Sequence, residues 1–496
     1  MKKFFWDGSG LMNKKKIKNK SPLKAGIWYI ICNFLVKGLT FITMPIFTRL
    51  MTSSDIGNFS NITSWFNILA IVTTLEVYSS VSIARFDYKN DLNEYIASSL
   101  SLGTIITLFF YIIVLVFNKF FMTLFCMDFK TINIIFIYLL FYPSIHMFMI
   151  KNQINYNYRN TVLLSIINAL CSSIGSILLV ILLSNKLYGR IIGYFVPQIF
   201  IAIVIYTYII IKGKKISTKY WKYAIKISFP LMWHLLAGYI LSSSDRIMIT
   251  KLIGTEANAL YSVSYTLSTV VSILWTSMNN AWSPWAYEQM NKKEYNKLNI
   301  KSKPYLILFL IIVYMFMLAT PELLLIMGGS YYMQAKYVMP PVMIGYVFQF
   351  IYSLYVNIEF YHKKQKNIAI GTALAAILNI ILNLVLIPKF GYIAAAYTTL
   401  VGYISLLVIH YLFVKRLGCT EWYDTKFFGI ISIIALLSIF IFNLLYKMNA
   451  IRYIIITISA IGIFIIIFKN INAIIEAIKS KSLKNVINIF YRKGEI

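Results

Sequence analysis

The chain has 496 residues, of which 59% are hydrophobic and only 13% charged, and its mean hydropathy is +0.71. A soluble domain of this length carries about a quarter charged residues, so the composition excludes an ordinary soluble protein and predicts a membrane protein. The net charge of +30 would suit nucleic acid if it formed one patch, but the basic residues lie in short runs between apolar stretches, which excludes that partner.

In chain order, a basic segment (1–24) comes first. It has no apolar core followed by a small-residue cleavage site, so the first apolar stretch is expected to serve as an uncleaved anchor. Apolar stretches near the roughly 20-residue span length then recur. They cover residues 26–48, 59–84, 96–117, 131–150, 162–184, 191–211 and 223–249, and then 259–281, 305–327, 338–358, 368–387, 392–414, 427–446 and 453–468. Such unbroken runs predict about fourteen transmembrane helices and exclude the alternation of barrel strands. Pro321, inside the ninth stretch, predicts a kink and not a boundary. Residues 470–496 place Ile471, Ile474, Ile475, Ile478, Leu483, Val486, Ile487 and Phe490 among lysines, which fits an amphipathic surface helix as well as a frayed basic tail.

With fourteen spans and both termini on one side, one set of connections holds about 35 of the 47 Lys and Arg residues and the other about eleven. The positive-inside rule makes the richer side, termini included, cytoplasmic. Cys32, Cys126, Cys171 and Cys419 are scattered, so neither a disulfide framework nor a metal site is indicated. His146, His234, His362 and His410 do not cluster, and His146 and His234, each alone on an apolar face, suit satisfied interior positions.

Sliding the chain against itself by 202 residues sets Ile46-Phe47-Thr48-Arg49-Leu50 over Met248-Ile249-Thr250-Lys251-Leu252, and Tyr188-Gly189 over Phe390-Gly391. At the same offset the polar face Ser60, Ser64, Asn67, Thr74, Tyr78 overlies Ser262, Thr266, Thr269, Thr276, Asn280. One such Ser or Thr is ordinary helix–helix glue. Two matching stripes predict the facing walls of a polar, cationic cavity between two parallel repeats. The expected organisation is an all-α polytopic protein with six-helix bundles at 25–211 and 227–414, a basic cytoplasmic linker at 212–226, an extra helix pair at 415–469 and a cytoplasmic tail at 470–496.

Ionisable residues inside spans mark candidate sites, because a charge at the bilayer centre costs about 2.5–3.5 kcal/mol on insertion scales. Lys37 lies midway along the first stretch and is either an anion-binding ammonium or a lysine that snorkels or pairs with Glu76. Glu76 is that partner or a proton carrier. Adjacent helical residues point about 100° apart, so Asp245 and Arg246 cannot neutralise each other side by side, and one of them is expected to pair across helices, at an outer gate or as a structural bridge. Arg85 ends the second stretch at the cytoplasmic mouth, as a membrane anchor or a ligand group. There is no phosphate-binding GxxxxGK[ST] loop, no long external connection and no catalytic or metal-ligand constellation, so no enzyme and no cofactor are expected.

The sequence KGLTFITMPIFTR at 37–49, followed by Asp55-Ile56-Gly57, resembles the first-span signature of polysaccharide repeat-unit flippases of the multidrug/oligosaccharidyl-lipid/polysaccharide (MOP) exporter superfamily. Arg85-Phe86, SSDRIMI at 243–249, Tyr261-Ser262, WSPW at 282–285, Asn379, Asn383 and LIPKFGYIAAA at 386–396 are similar to further motifs of that family, over about residues 25–415. The chain departs at Ala394, where the family usually has Gly, and at Glu76, where a small residue is usual. The resemblance implies two bundles that alternate access and move an undecaprenyl-pyrophosphate-linked oligosaccharide from the inner to the outer leaflet of the bacterial plasma membrane, for a surface polysaccharide such as O-antigen or capsule. It implies pyrophosphate contacts from Lys37 and Arg85 and sugar contacts from Asn67, Thr74, Tyr78, Thr269, Thr276 and Asn280. Arg49, Glu76, Asp245 and Arg246 form a gate or coupling set. The implied partners are the lipid-linked substrate and the bilayer, with a polysaccharide polymerase and glycosyltransferases beside them. The alternatives are a cation-coupled small-molecule exporter of the same superfamily and, with less support, a membrane-embedded polymerase or acyltransferase.

Overall fold

Without water in the bilayer core, every spanning backbone group must be bonded internally, and each of the fourteen apolar stretches falls on helix, the second and the ninth on two pieces, in the computed structural model, which describes residues 22–155 and 157–469. The expected tail over 470–496 and all but the end of the expected basic N-terminal segment lie outside the described residues.

The first half comprises α1 (Pro22–Leu50), α2 (Ser53–Thr74), a 3-10 turn (Val77–Ser80), α3 (Val81–Asp87), α4 (Leu92–Val116), α5 (Asn118–Phe125), α6 (Phe129–Ile154), α7 (Tyr158–Leu182) and α8 (Lys186–Gly213). The second comprises α9 (Lys219–Leu252), α10 (Thr255–Asn291), α11 (Tyr295–Leu318), α12 (Thr320–Gly328), a 3-10 segment (Ser330–Val338), α13 (Met339–Tyr361), α14 (Gln365–Phe390) and α15 (Tyr392–Arg416). α16 (Thr425–Leu445) and α17 (Asn449–Lys469) follow. Among the described residues, eleven helical segments are long and apolar enough to cross a membrane, and α2 with α3, bent by 56° at their break, would make a twelfth.

Local chemistry sets the ends. A capping box starts α2, in which Thr52 Oγ1 accepts from Asp55 N–H at 3.2 Å and the Asp55 carboxylate accepts from Thr52 N–H at 3.4 Å. Asp128 and Asn185 cap α6 and α8, and Asp424 caps α16. A hydrogen bond from Lys303 at 2.7 Å also holds the Asp424 carboxyl below its usual range. Gly391 at φ +75° turns the chain between α14 and α15, a conformation that costs other residues strain. Pro321 marks a boundary and not the expected kink. α11 ends at Leu318 and Pro321 lies in the first turn of α12, where the N–H that proline lacks would have no helical partner anyway.

The buried apolar side chains form two clusters. One runs from Phe59 to Ala224, through the first half and into the start of α9. The other gathers the second half and takes in Met44, Phe47 and Met51 from the end of α1 and Ile56 from α2. α9 belongs to both. Tyr220 and Ala224 near its start lie in the first cluster, whereas Leu241 and Ile249 near its end lie in the second.

The last helices are tied down by charge. Arg452, 1% exposed, donates to both Glu322 oxygens on α12 at 2.5 and 2.6 Å and to Leu318 O at 2.8 Å. Breaking a fully buried pair costs about 3–5 kcal/mol, but the Glu322 side chain is 37% exposed, so Arg452→Met is expected to cost about 1–3 kcal/mol. Thermal unfolding in detergent, followed by tryptophan fluorescence, should shift down by several degrees. An unchanged midpoint would show that apolar packing alone holds α17.

Candidate functional site

The site is built around the place where α2 and α10 meet. Ser54 and Thr255 share a hydrogen bond at 2.8 Å, Asn258 Nδ2 donates to Gly57 O at 2.8 Å, and Ser60 and Ser262 bond at 2.6 Å. The paired residues are 201, 201 and 202 apart, so each repeat grips its own copy. A Cβ on Gly57 would fall 1.7 Å from Thr255 O, so the backbones can touch only because residue 57 is glycine. Beside this contact Thr48 Oγ1 donates to Met327 O at 2.5 Å and Arg49 Nη2 to Ile326 O at 3.2 Å. Together these bonds seal the halves against each other at the end carrying the α1–α2 and α9–α10 connections.

Further along, Asn67 Nδ2 reaches Tyr239 Oη on α9 at 2.9 Å. There a cavity of about 570 Å³ opens between the halves. Asn67, Glu76, Tyr78 and Tyr142 line one wall, and His234, Tyr239, Ser242, Tyr352, Thr372 and His410 the other. The exposed face of α10 widens in the same direction. Ser262 is buried, Thr266 and Thr269 on its face are half-buried, and Thr276 and Asn280 are exposed, so α10 leaves its neighbour as it runs away from the seal. The hydroxyls of Thr269 and Thr276 bond carbonyls of their own helix, Thr266 O and Ser272 O, and neither these residues nor Asn280 line the cavity.

Glu76 sits at a break that no Gly or Pro announces. Leu75 and Glu76 both take left-handed backbone angles, φ +48° and +54°, which costs roughly 1–3 kcal/mol at each such residue. The continuous helix expected over 59–84 is therefore two pieces. Tyr78 Oη and Ser79 Oγ donate to the Glu76 carboxylate at 2.6 and 3.3 Å, and the Tyr78 ring stacks on His146 at 4.7 Å. Thr74 is buried, donating to Ala70 O at 2.6 Å and accepting from Glu76 N–H at 3.3 Å. It supports the break and does not face the cavity.

The expected cationic cavity lining is not what these walls present, for no Lys or Arg lies among the lining residues. Lys37 is exposed on a polar face of α1 with Asn33 and Thr40, and no described residue bonds to it. Two turns on, Met44 on the same face packs with the second half. Arg85 is half-buried near the α6 end, with Nη1 3.4 Å from Ile154 O, its guanidinium 4.3 Å from the Phe86 ring and Nε without a partner among the described residues.

Asp245 stays inside the second half. Its carboxylate accepts from Tyr261 Oη and Thr399 Oγ1 at 2.6 Å each and from Asn383 Nδ2 at 2.7 Å. Arg246 makes no ion pair among the described residues and lies 4.4 Å from the Tyr265 ring. The sequence reading passed over two other buried ionisable features. Arg190 is clamped between the Phe47 and Phe59 rings, 4.0 Å from each. Glu359 on α13 and His410 on α15, both at most 1% exposed, bond at 2.6 Å. A lone acid and a lone histidine on separate helices carry no periodic signal, so only their rarity within spans could have flagged them.

Two helical repeats that meet at one end and enclose a polar space beyond it define the class, a polytopic membrane protein with a cavity between its halves. The chain belongs to the polysaccharide biosynthesis protein family, whose family model matches residues 23–290. It is 27% identical over 218 residues to "Lsg locus putative protein 1" of Haemophilus influenzae, a match covering 42% of this chain and 53% of that protein, so the chain spans about half the length of this curated relative. Its fold is that of the MOP superfamily. The lipid II flippase MurJ in an inward closed conformation superposes with a TM-score of 0.66 at 16% identity, over 88% of this chain and 98% of MurJ. An inward-facing multidrug resistance MATE family transporter gives 0.59 at 12% identity, over 80% and 98%. A MOP superfamily transporter from Pyrococcus furiosus gives 0.57 at 12%, over 84% and 99%.

Cysteines replacing Ser60 and Ser262 are expected to cross-link under mild oxidation, because their oxygens already touch. The bond should arrest any cycle that must part the halves here, with recovery on reduction. Full transport by the cross-linked protein would mean that this seal never opens.

Proposed function

We propose that the chain is a flippase that carries an undecaprenyl-pyrophosphate-linked oligosaccharide repeat unit from the inner to the outer leaflet of the bacterial plasma membrane by alternating access. The observation that carries the reading is the combination of a seal between equivalent parts of the two repeats with a polar cavity immediately beyond it. On the positive-inside rule the linker near residues 212–226 and both termini are cytoplasmic, so the sealed end faces outward. The cavity volume of about 570 Å³ falls within the roughly 300–1,000 Å³ of small-ligand sites, enough for part of a polar head and far too little for a long lipid. The tail therefore stays in the bilayer, and the exposed faces carrying Lys37 on α1 and Thr276 and Asn280 on α10 are its proposed way past the protein. The two six-helix bundles at 25–211 and 227–414 are proposed as the moving bodies. A polymerase and glycosyltransferases are the proposed neighbours in surface polysaccharide assembly.

A second reading, cation-coupled export of a small molecule, is favoured by one observation, the buried Glu76 carboxylate on the cavity wall. The appearance of lipid-linked sugar in the outer leaflet of proteoliposomes separates the two readings. An outward-moving pyrophosphate with about two net charges gains about 2.3 kcal/mol per charge per 100 mV, so flipping should quicken with an inside-negative potential. Lys37→Ala should abolish it and Lys37→Arg should retain part, with folding intact because the side chain is exposed. Arg85→Ala should weaken capture and be partly rescued by more substrate. Full activity of Lys37→Ala at every potential would remove Lys37 from the path.

The orientation has its own check. A cysteine replacing Ser330 should react with an impermeant reagent added to intact cells, while one replacing Lys215 should react only after permeabilisation. The opposite pattern would invert the direction of transport proposed.

A further inference from the structure

An anionic head group entering this cavity meets a carboxylate, Glu76, and no lysine or arginine among the lining residues. Only His234 and His410 there can become cationic. Their settings differ. His410 Nδ1 lies 2.6 Å from a Glu359 oxygen, so with Glu359 ionised that nitrogen must carry the hydrogen, because a carboxylate can only accept. The tautomer is thereby fixed, and Nε2 is left as the nitrogen free to gain or lose a proton. Nε2 is buried and has no hydrogen-bond partner among the described residues, on a ring that belongs to the cavity wall. The second Glu359 oxygen is likewise unpartnered.

The groups facing this ring are few. From α13 come Glu359 and the Tyr352 ring, stacked at 5.6 Å. From α14 comes Gly371, whose missing Cβ would lie 3.2 Å from Nε2. From α9 comes His234, near enough to act on it electrostatically, with Nδ1 also unpartnered. The opposite wall of the cavity carries Glu76 with Tyr78.

We infer that a proton is a second ligand of this cavity, taken up at His410 Nε2 when a diphosphate enters. The proton comes from solvent, its N–H bond forms at the Nε2 lone pair, and no other bond breaks. The resulting imidazolium lies in the wall beside the anion, and Glu359 neutralises it from its other nitrogen. This rests on the flippase reading, and it deepens that reading by making head-group binding and proton binding mutually favourable. Glu359 is the positioning residue: it orients the ring and steadies the cation without touching the ligand.

The sign of the linkage follows. An anion raises the proton affinity of the bound form, so binding strengthens as pH falls and the gain is lost as pH rises through the midpoint of the bound form. One linked proton makes the limiting slope about tenfold in affinity per pH unit. The test is calorimetric titration of the full chain in nanodiscs with inorganic diphosphate and, separately, with a short-chain polyprenyl diphosphate, between about pH 6 and pH 8. Buffers of different ionisation enthalpy report the protons taken up. Diphosphate titrates in the same range, so the readout is the difference between proteins. The wild type should show a steeper slope and greater proton uptake than His410→Asn, and His234→Asn should keep most of both. Glu359→Gln should still bind diphosphate but with a shallower pH slope and less proton uptake than the wild type, which loss of packing alone would not do. Tighter binding of the prenylated probe marks a lipid-linked ligand, and equal binding a free diphosphate; the proton linkage is expected with either. If wild type and His410→Asn bind with the same slope and uptake, the inference is overturned and the flippase reading stands. If the wild type binds neither probe, the anionic head group falls, and the inference with it.

Discussion

The arrangement depends first on a contact between two backbones. Where α2 passes α10 there is no room for a side chain at Gly57, and the hydrogen bonds on either side join residues that are equivalent in the two repeats, as Ser60 and Ser262 are, or one position from equivalence. A contact of this kind lies on the axis relating the repeats, so pinning the helices there lets the halves differ in how far they part elsewhere. The cavity follows from that. Beyond the Ser60–Ser262 bond the face of α10 passes from buried to exposed within about five turns, and Asn67 and Tyr239 make a last bridge before the space opens. α9 is rooted in the apolar cluster of one half and ends in that of the other, which makes it the strut that any relative movement must bend or tilt.

Ionisable groups in an apolar slab need partners, and the protein supplies them in four ways. Arg452 and Glu322 neutralise each other with two short bonds. Asp245 is held by three neutral donors, which leaves its charge delocalised but unopposed by a direct ion pair. Arg190 is flanked by aromatic faces, an arrangement worth about 2 kcal/mol or more when desolvated. Glu76 has two hydroxyl donors and a strained backbone beneath it. Of the four, only Glu76 borders the cavity and lies at a break whose freed backbone groups could be rebonded in another way. Strain stored beside a cavity is what a two-state element requires, because a small change in occupancy then tips a balance already close.

Apolar length was enough to find all eleven helices that are long and apolar enough to cross a membrane among the described residues, although about fourteen spans were expected. The offset of 202 also carried real geometry, for Ser60 and Ser262, which it superposes, are bonded to each other. Faces within the helices were less legible. Thr74 and Tyr78 share a face only if the helix continues between them, and two left-handed residues rotate everything after Leu75. Pro321 could equally bend a helix or begin one, and what decided it was the ending of α11 one turn earlier, which no local signal marks. Cavity membership was harder still. Lys37 and Arg85 stand out in sequence as charges near a membrane, but whether they face the cavity is set by how the helices pack. Glu359 and His410, 51 residues apart, acquire meaning only once α13 and α15 are side by side.

That separation of lysine and arginine from the cavity wall suits the proposed cycle. A carrier must hold its cargo strongly enough to admit it and weakly enough to release it. A lysine fixed in the lining would favour a diphosphate on both sides of the membrane alike, and a ligand bound equally in two states shifts neither. Tyrosine walls offer hydroxyls and apolar faces that fit a sugar without committing charge. A positive charge that appears only when the anion is present, and disappears when it leaves, would bind without trapping. On this reading Lys37 and Arg85 act at the approaches, where the head group exchanges water for protein, while the interior offers no positive charge until it is filled.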